Sequence, residues 1–313
     1  MKTFPLTACP GCGSGTANEF PFGEGVTLRR CTDCQLVYAS AYGDPAEIYV
    51  EGYLRGTTDF GLDLHDPGFQ RYLAHVAQRR MDIIERATGG APGAFLDVGC
   101  GTGEVLVAAR DRGWTVQGAD PVAESADFAR NTRGLDVRGT LLEESGLPER
   151  HYDIATAFHV LEHMNAGGSF LRLLARWVRP GGHVVIEVPN WRSCHRRGAA
   201  QVGSVWPGLR PLEHVAHYTP ATLAEVMRRS GLDPILVCSR TYLWEGQTLI
   251  EQLRDLGRQR YKRWAKSLGH AGVRDGAPVT VPSAAGRLAL HAIERVQDRA
   301  GVGVVVLAIA RVP

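Results

Sequence analysis

The sequence predicts an α/β fold built on a doubly wound parallel sheet. Three observations support this fold class. From about residue 91, short apolar runs alternate with helical patterns; the first run opens into alternating glycines; and each of the first two runs ends in an aspartate. Such alternation predicts parallel strands, covered by helices on both faces, whose carboxyl ends meet at a ligand site.

The period of the apolar residues places the central elements. Strands are predicted at 95–98, 115–119, 135–138, 154–158 and 183–188. Helices are predicted at 104–112, 123–133, 169–178 and 221–229, and an amphipathic helix at 69–87 precedes the first strand. Residues 91–240 therefore form the predicted core, and residues 41–90 are a linker and a helix that cover the site.

The composition is that of a globular protein with no special partner. Of 313 residues, 44% are apolar and 22% charged, and the net charge of +2 does not require a polyanionic partner. The first ten residues contain no signal-peptide stretch, and no later run is long enough to span a membrane. We therefore expect a cytoplasmic protein in a reducing compartment.

Four of the seven cysteines form two C-x-x-C pairs. Cys9 and Cys12 make the first pair, and Cys31 and Cys34 follow after eighteen residues, a spacing typical of a four-cysteine zinc site. Two disulfides or a redox pair are the alternatives, and a reducing compartment favours zinc. Because about forty residues bury too little surface to fold alone, we predict a structural zinc within residues 1–40.

The turn after the first strand indicates the class of ligand. Gly99 and Gly101 let backbone N–H groups approach a ligand, but Glu104 stands where a dinucleotide fingerprint has its third glycine. Asp97 would repel a diphosphate and attract a cation. S-adenosylmethionine carries a sulfonium and an ammonium without any phosphate, and Asp120 ends the next strand, where an acid binds ribose hydroxyls.

Residues 96–103, Leu-Asp-Val-Gly-Cys-Gly-Thr-Gly, resemble the first motif of the class I S-adenosylmethionine-dependent methyltransferases. Residues 152–155, 160–163 and 179–182 are similar to the family's fourth strand, the motif after it and the turn before its fifth strand. These motifs occur in the family's order, and the resemblance covers about residues 95–236.

The resemblance implies a seven-stranded Rossmann-like methyltransferase sheet, completed by strands at 235–239 and 302–311. A helical insertion at 241–300 precedes the last strand and would serve as a substrate lid or a dimer surface; its helical patterns lie at 248–266 and 284–299. The predicted cofactor site consists of Asp97, Gly99, Cys100, Gly101, Gly103, Asp120, Pro121 and His159.

Methyl transfer needs a group that takes the proton of the acceptor. Four histidines are predicted near the strand ends: His159, His163, His214 and His217. The stretch that begins at Glu213 resembles the Glu-His-x-x-Tyr-Phe region of sugar C-methyltransferases, which carry an N-terminal zinc segment and use the histidine as general base. This resemblance implies His214 as the base, with Glu213 beside it and His217 as the second choice.

A catalytic metal is the less favoured interpretation of the same region. The stretch from His159 to His163 resembles quinone O-methyltransferases in which two acids and a histidine hold a divalent metal. Glu162 and His163 match that pattern, but His159 replaces the first acid. Each histidine also has a purely structural interpretation.

Aromatic and basic side chains suggest how an acceptor is bound. Tyr42, Tyr49 and Tyr53 either stack on a ligand or cover apolar surface. A loop after the fifth strand carries indoles and basic groups: Trp191, Arg192, His195, Arg196, Arg197, Trp206 and Arg210. This loop either binds an anionic or carbohydrate acceptor, such as a nucleotide-linked sugar, or is simply solvated.

The sequence thus predicts a zinc-containing methyltransferase that acts on a hydroxyl or an acidic carbon of a sugar or another natural-product intermediate. An RNA methyltransferase that grips nucleic acid with the cysteine segment is one alternative, although that segment has few basic residues beyond Arg29 and Arg30. A non-catalytic nucleotide-binding protein or a dehydrogenase is the other.

Overall fold

The structure of the chain is a computed structural model. It describes residues 2–22, 27–48, 67–201, 206, 208–210, 212–242, 292 and 294–313, with side chains for all of these except 67–69 and 199–201. The predicted helix at 248–266, most of the one at 284–299, and the candidate ligand residues Tyr49 and Tyr53 lie outside the described residues.

The N-terminal segment forms two small antiparallel sheets. In the first, β1 (Thr3–Pro5) pairs with β5 (Ala41–Gly43). The second contains β2 (Ala17–Pro21), β3 (Thr27–Cys31) and β4 (Val37–Ala39), and its fourth strand is β11 (Ala216–His217). One turn of helix, α1 (Pro45–Ile48), follows β5. The stretch predicted as a linker from residue 41 therefore begins with regular structure, because β1 pairs with it.

The central sheet has seven strands in the order β12-β13-β10-β9-β6-β7-β8. They are β6 (Ala94–Val98), β7 (Thr115–Ala119), β8 (Val137–Arg138), β9 (Tyr152–Phe158), β10 (Val178–Pro189), β12 (Asp233–Arg240) and β13 (Val305–Arg311). The strands from β6 to β10 run parallel, and β13 pairs antiparallel with both β10 and β12. The predicted seven-stranded α/β fold is confirmed.

Helices cover both faces of this sheet. They are α2 (Pro67–Thr88), α3 (Glu104–Arg110), α4 (Ala123–Arg133), α5 (Gly167–Trp177), α6 (Cys194–Gln201) and α7 (Pro220–Arg229). One buried cluster joins α2, α3 and α4 to the sheet, and a second joins α5, α7 and the cysteine segment to the opposite face. Among the described residues, none of the helices is both long and apolar enough to cross a membrane.

The boundaries differ from prediction in a few places. The strand predicted at 135–138 pairs with β7 only through its last two residues, and the last strand begins at Val305 instead of residue 302. Residues 194–201, predicted as part of a loop, form α6. The ends of a strand depend on where its pairing with the neighbouring strand stops. Local apolar patterns do not contain that information.

The first cysteine turn packs directly on the core. The N–H of Gly168, in the first turn of α5, donates to the carbonyl of Pro10 at 3.0 Å. A methyl group on Gly168 would collide with the backbone carbonyl of Gly11, and one on Gly11 would meet Val226 of α7 at 2.7 Å. Backbone therefore lies against backbone here, and the contact leaves no room for a side chain.

Replacing Gly168 with alanine should destabilise the protein by about 1–3 kcal/mol, because the new methyl group pushes the cysteine turn away from α5. The control is Gly198→Ala, a helical position in α6 with no atom within 4 Å of the added methyl group. Alanine is the better helix former, so that variant should be unchanged or more stable by up to about 1 kcal/mol. Denaturant unfolding of both variants measures the difference; equal stabilities would contradict the close packing.

Candidate active site

The turn between β6 and α3 is shaped by glycines. Gly99 has φ 68° and Gly101 has φ 53°, values that side-chain-bearing residues rarely adopt. The N–H of Gly99 donates to the carbonyl of Ala119 at 2.7 Å, which joins the turn to the end of β7. A side chain on Gly99 would collide with Val160, whereas no atom of the described residues lies within 4 Å of the corresponding position on Gly101. The turn is thus packed on one side and open to a ligand at Gly101.

Asp97 lies at the carboxyl end of β6 and is only 3% exposed. The hydroxyl of Thr156 on β9 donates to its Oδ1 at 2.6 Å. Burial raises the pKa of Asp97 to about 7, although the bond from Thr156 and the charge of Arg80 oppose that rise. A carboxyl group with this pKa gains its charge most readily when a cation arrives beside it.

Asp120, directly after β7, holds the glycine turn. Its Oδ2 accepts the N–H of Gly101 at 2.8 Å, and its Oδ1 accepts the N–H of Val122 at 2.9 Å. Each carboxylate oxygen retains a lone pair for a further donor, such as a ribose hydroxyl. The sequence analysis predicts only the binding of ribose hydroxyls for Asp120 and not its bonds to the turn.

Two cavities flank the glycine turn, and both reach His163. The first, of about 600 Å³, is bounded by Asp97, Gly101, Arg80, His159, Trp206 and His214. The second, of about 870 Å³, lies beyond Asp120 and is bounded by Pro121, Val122, Leu141 and residues of the N-terminal segment. Volumes of this size are typical of sites for small ligands and cofactors.

Three potential proton acceptors meet at the wall of the first cavity. One side-chain atom from each residue, a carboxylate oxygen of Glu162 and a ring nitrogen of His163 and of His214, lies within 4.8 Å of the other two. The Nδ1 of His214 donates to the carbonyl of Gly208 at 3.0 Å, so its Nε2 keeps a free lone pair. Burial lowers the pKa of His214 and lowers that of His163 to about 4, and both rings are therefore neutral.

His159 forms an ion pair instead of joining this group. Its Nδ1 lies 3.2 Å from Oε1 of Glu162, and its Nε2 lies 3.5 Å from Oε1 of Glu187. Burial alone would lower the pKa of His159, but the hydrogen bonds to the two glutamates raise it to about 9. The ring therefore carries a positive charge at neutral pH, with 44% of its side-chain surface exposed.

Glu187 links this histidine to two residues that the sequence analysis missed. It is fully buried on β10, accepts a hydrogen bond from Nε of Arg80 on α2 at 3.1 Å, and accepts another from the hydroxyl of Tyr242 at 2.7 Å. Arg80 also lies 4.3 Å from the centre of the Phe158 ring. The available signal was a single glutamate inside the apolar strand Val-Val-Ile-Glu-Val at 184–188.

The structure separates the three predicted catalytic residues. His214 lines the first cavity, and Glu213 lines the second and pairs with Arg210 at 3.1 Å. His217 lines neither; its ring lies 5.0 Å from that of Trp191 and 6.3 Å from that of Trp206. Burial lowers the pKa of His217 to about 3. This position points to a packing role for His217.

The four cysteines of the N-terminal segment come together as the spacing predicted. Their sulfurs lie within 4.8 Å of one another, and the Sγ atoms of Cys9 and Cys34, and of Cys12 and Cys31, are 3.5 Å apart. These separations are far longer than a disulfide bond. They are close to the edge of about 3.8 Å expected for sulfurs around a tetrahedral zinc ion.

The group of Glu162, His163 and His214 also has the chemistry of a divalent-metal site. Its carboxylate Oε2 is buried and has no hydrogen-bond partner among the described residues, and two neutral imidazoles stand beside it. The first acid of the quinone O-methyltransferase pattern is replaced by His159, and the third donor comes instead from His214. The residues present therefore fit a metal through a different donor set.

A doubly wound sheet with an acid before an open glycine turn, and a second acid beside the ribose position, defines a class I S-adenosylmethionine-dependent methyltransferase. Comparison with protein families agrees: residues 69–237 match a family model described as a methyltransferase domain. The chain belongs to this family of methyltransferase domains.

Curated relatives include ubiquinone biosynthesis O-methyltransferases. That of Bordetella avium is 32% identical over 171 residues, which cover 50% of this chain and 68% of the relative. That of Sodalis glossinidius is 34% identical over 126 residues, covering 38% of this chain and 50% of the relative. The chain thus spans about half the length of several curated relatives.

Among solved structures, the chain is similar to a Burkholderia thailandensis 1,6-didemethyltoxoflavin-N1-methyltransferase with bound 1,6-didemethyltoxoflavin and S-adenosylhomocysteine. The sequence identity is 17% and the TM-score is 0.48, with 95% of this chain and 100% of that chain covered.

The raised pKa of Asp97 predicts how cofactor binding depends on pH. Only the carboxylate pairs with the ammonium group of S-adenosylhomocysteine, so affinity should rise by about tenfold from pH 6 to pH 8 as the group deprotonates. At pH 6, binding should release close to one proton per ligand. Calorimetry in buffers of different ionisation enthalpy measures both effects.

The matched variant is Asp97→Asn, which keeps the shape but cannot titrate. It should bind S-adenosylhomocysteine weakly, with no rise in affinity between pH 6 and pH 8. A pH dependence that persists in this variant would assign the titration to another group.

Proposed function

We propose that the protein transfers a methyl group from S-adenosylmethionine to a hydroxyl oxygen of a small-molecule acceptor. The observation that carries this proposal is that one cavity is lined both by the buried carboxyl of Asp97 and by the neutral His214, whose Nε2 is free. The first is suited to the charged end of the cofactor and the second to the proton of an acceptor. The O-methyltransferase names of the curated relatives support oxygen as the methylated atom.

The protein binds and aligns the two reactants. Asp97 pairs with the ammonium group of the cofactor, Asp120 accepts from the ribose, and the backbone of the glycine turn lies against the ligand between them. The methyl group is already activated by the positive sulfur, so the reaction is an in-line displacement that mainly needs a well-placed acceptor oxygen. That oxygen must approach through the first cavity, which is the one that Asp97 lines.

His214 is the proposed general base. It is neutral because burial lowers its pKa, and its Nδ1 is fixed on the carbonyl of Gly208. The Nε2 lone pair takes the hydroxyl proton as the oxygen attacks, and the positive charge that forms on the ring is stabilised by Glu162, one of whose carboxylate oxygens has no described partner.

The same cavity suggests an acceptor with a flat apolar face and polar edges. Tyr72, Leu73, Val76 and Trp206 provide apolar and aromatic surface, and the positive ring of His159 provides a charge. A hydroxylated ring with an acidic substituent matches this lining. A sugar remains within the proposal because indole rings also stack on sugar faces.

A structural zinc ion held by Cys9, Cys12, Cys31 and Cys34 completes the proposal. All four positions of a tetrahedral ion are filled by protein sulfur, which leaves no place for a substrate. If a divalent ion instead binds Glu162, His163 and His214, those residues would hold it in place of a free base, and it would lower the pKa of the acceptor hydroxyl.

Binding of S-adenosylhomocysteine and methyl transfer test the proposed activity together. We expect calorimetry to show binding of S-adenosylhomocysteine and none of NAD, because the site carries an acid where a diphosphate would lie. With S-adenosylmethionine and a panel of hydroxylated aromatic and sugar acceptors, mass spectrometry should detect the gain of one methyl group. Binding of NAD, or of neither ligand, would refute the proposal.

His214→Ala should lower kcat by about 10²–10⁴-fold, while the affinity for S-adenosylhomocysteine changes little. The comparison variant is His217→Ala. It should lower the stability of the protein but have little effect on the kcat of the protein that remains folded, because that ring lines neither cavity. If both variants keep full turnover, the assignment of the base is wrong. Turnover that requires added Mg²⁺ or Mn²⁺ would instead assign Glu162, His163 and His214 to a metal.

A further inference from the structure

The second cavity has walls from two distant parts of the chain. One wall consists of loops at the carboxyl ends of the central strands, with Pro121 and Val122 after β7 and Leu141 after β8. The facing wall comes from the N-terminal segment, where Tyr42 of β5 and Ile48 of α1 line the cavity. Ile48 is only 5% exposed although it belongs to a single helical turn.

The position of this cavity suits the adenosine part of the cofactor. Pro121, directly after the acid assigned to the ribose, and Leu141, after β8, line this cavity, and Asp97 is not among its lining residues. The two ends of the ligand must lie on opposite sides of the ribose, so the base lies where this cavity is. Its lining is largely apolar, as a flat heterocycle requires.

Backbone hydrogen bonds connect the N-terminal wall to the cysteines. The N–H of Cys31 donates to the carbonyl of Leu36 at 3.0 Å, and the next residues form β4, which pairs with β11. At the end of β4, the N–H of Ala39 donates to the carbonyl of Val215, and beyond it the N–H of Gly43 donates to the carbonyl of Leu212, both at 2.9 Å. A continuous ladder therefore runs from the second cysteine pair to the cavity wall.

Within the part of the chain that the structure describes, the N-terminal segment has no hydrophobic core separate from that of the central sheet. The buried Leu28, Val37 and Ala39 of its second sheet pack against Trp191 and Trp206 of the core. Its shape thus depends on two supports: the contact with the core and the group of four cysteines. Filling the cysteine site with a metal fixes the turns from which the ladder starts.

We propose that the N-terminal segment forms half of the cofactor site, with Tyr42 and Ile48 contacting the adenosine, so that metal at the four cysteines and cofactor in the cavity strengthen each other's binding. This inference rests on the proposed function, because it takes S-adenosylmethionine as the ligand. It adds a cofactor-binding role for residues outside the matched methyltransferase domain, which begins at residue 69.

The first test measures the contribution of the Ile48 side chain to cofactor binding. Ile48→Ala should weaken binding of S-adenosylhomocysteine by about tenfold, through loss of buried apolar contact. The matched control is Ile235→Ala, on the edge strand β12, where the side chain is 45% exposed and lines neither cavity. The control should bind within about twofold of the parent protein, and both variants should retain the zinc content of the parent.

The second test measures the coupling from the metal side. At equilibrium with a competing chromogenic chelator, the full chain should bind zinc about tenfold more tightly when S-adenosylhomocysteine is saturating, and zinc-depleted protein should bind that ligand more weakly by the same factor. Cys238→Ser, a cysteine of β12 outside the group of four, should behave as the parent does.

The outcomes distinguish this inference from the proposed function. If the parent protein binds S-adenosylhomocysteine but neither Ile48→Ala nor zinc removal changes its affinity, the inference is overturned and the proposed function stands. If the purified protein contains no metal at the cysteines, the coupling is overturned. If the parent does not bind S-adenosylhomocysteine at all, the proposed function fails first.

Discussion

The buried carboxylate of Glu187 governs how the first cavity is enclosed. A charge in the middle of a central strand is tolerated only when it is paired and hydrogen-bonded, since an unpaired one costs several kcal/mol. Here the compensation comes from three directions: Arg80 on α2, His159 after β9, and Tyr242 after β12. One acid thereby joins a helix and two strand ends around the space where the reactants would meet.

The acids along the ligand edge differ in how they are satisfied. Asp97 is buried with one strong donor, Thr156, which leaves it close to half ionised near neutral pH. Asp120 accepts two backbone N–H groups and so shapes the turn before any ligand arrives. Glu162 pairs with a positive histidine through one oxygen and leaves the other unsatisfied. In the proposed function, Asp97 suits a cation, Asp120 a fixed loop shape, and Glu162 a proton or an ion.

Much of the fold could be predicted from the sequence, because strands such as 154–158 and helices such as 123–133 carry their period in their own residues. The cysteine group and the Asp97 turn were predictable for the same reason, since their spacing is local. The pairing of β4 with β11, and of Arg80 with Glu187, joins residues more than a hundred positions apart. No local pattern contains such pairings, and for that reason the sequence does not predict the second cavity or the place of Arg80 in the lining of the first.

The placement of β13 also has a consequence for biosynthesis. This strand inserts between β10 and β12, so the sheet keeps an open gap beside β10 until residues 305–311 have been synthesised. While the ribosome adds the preceding residues, apolar edges of β10 and β12 are exposed to other nascent chains. Cellular yield should thus depend on chaperones that shield those edges until residues 305–311 have emerged and paired.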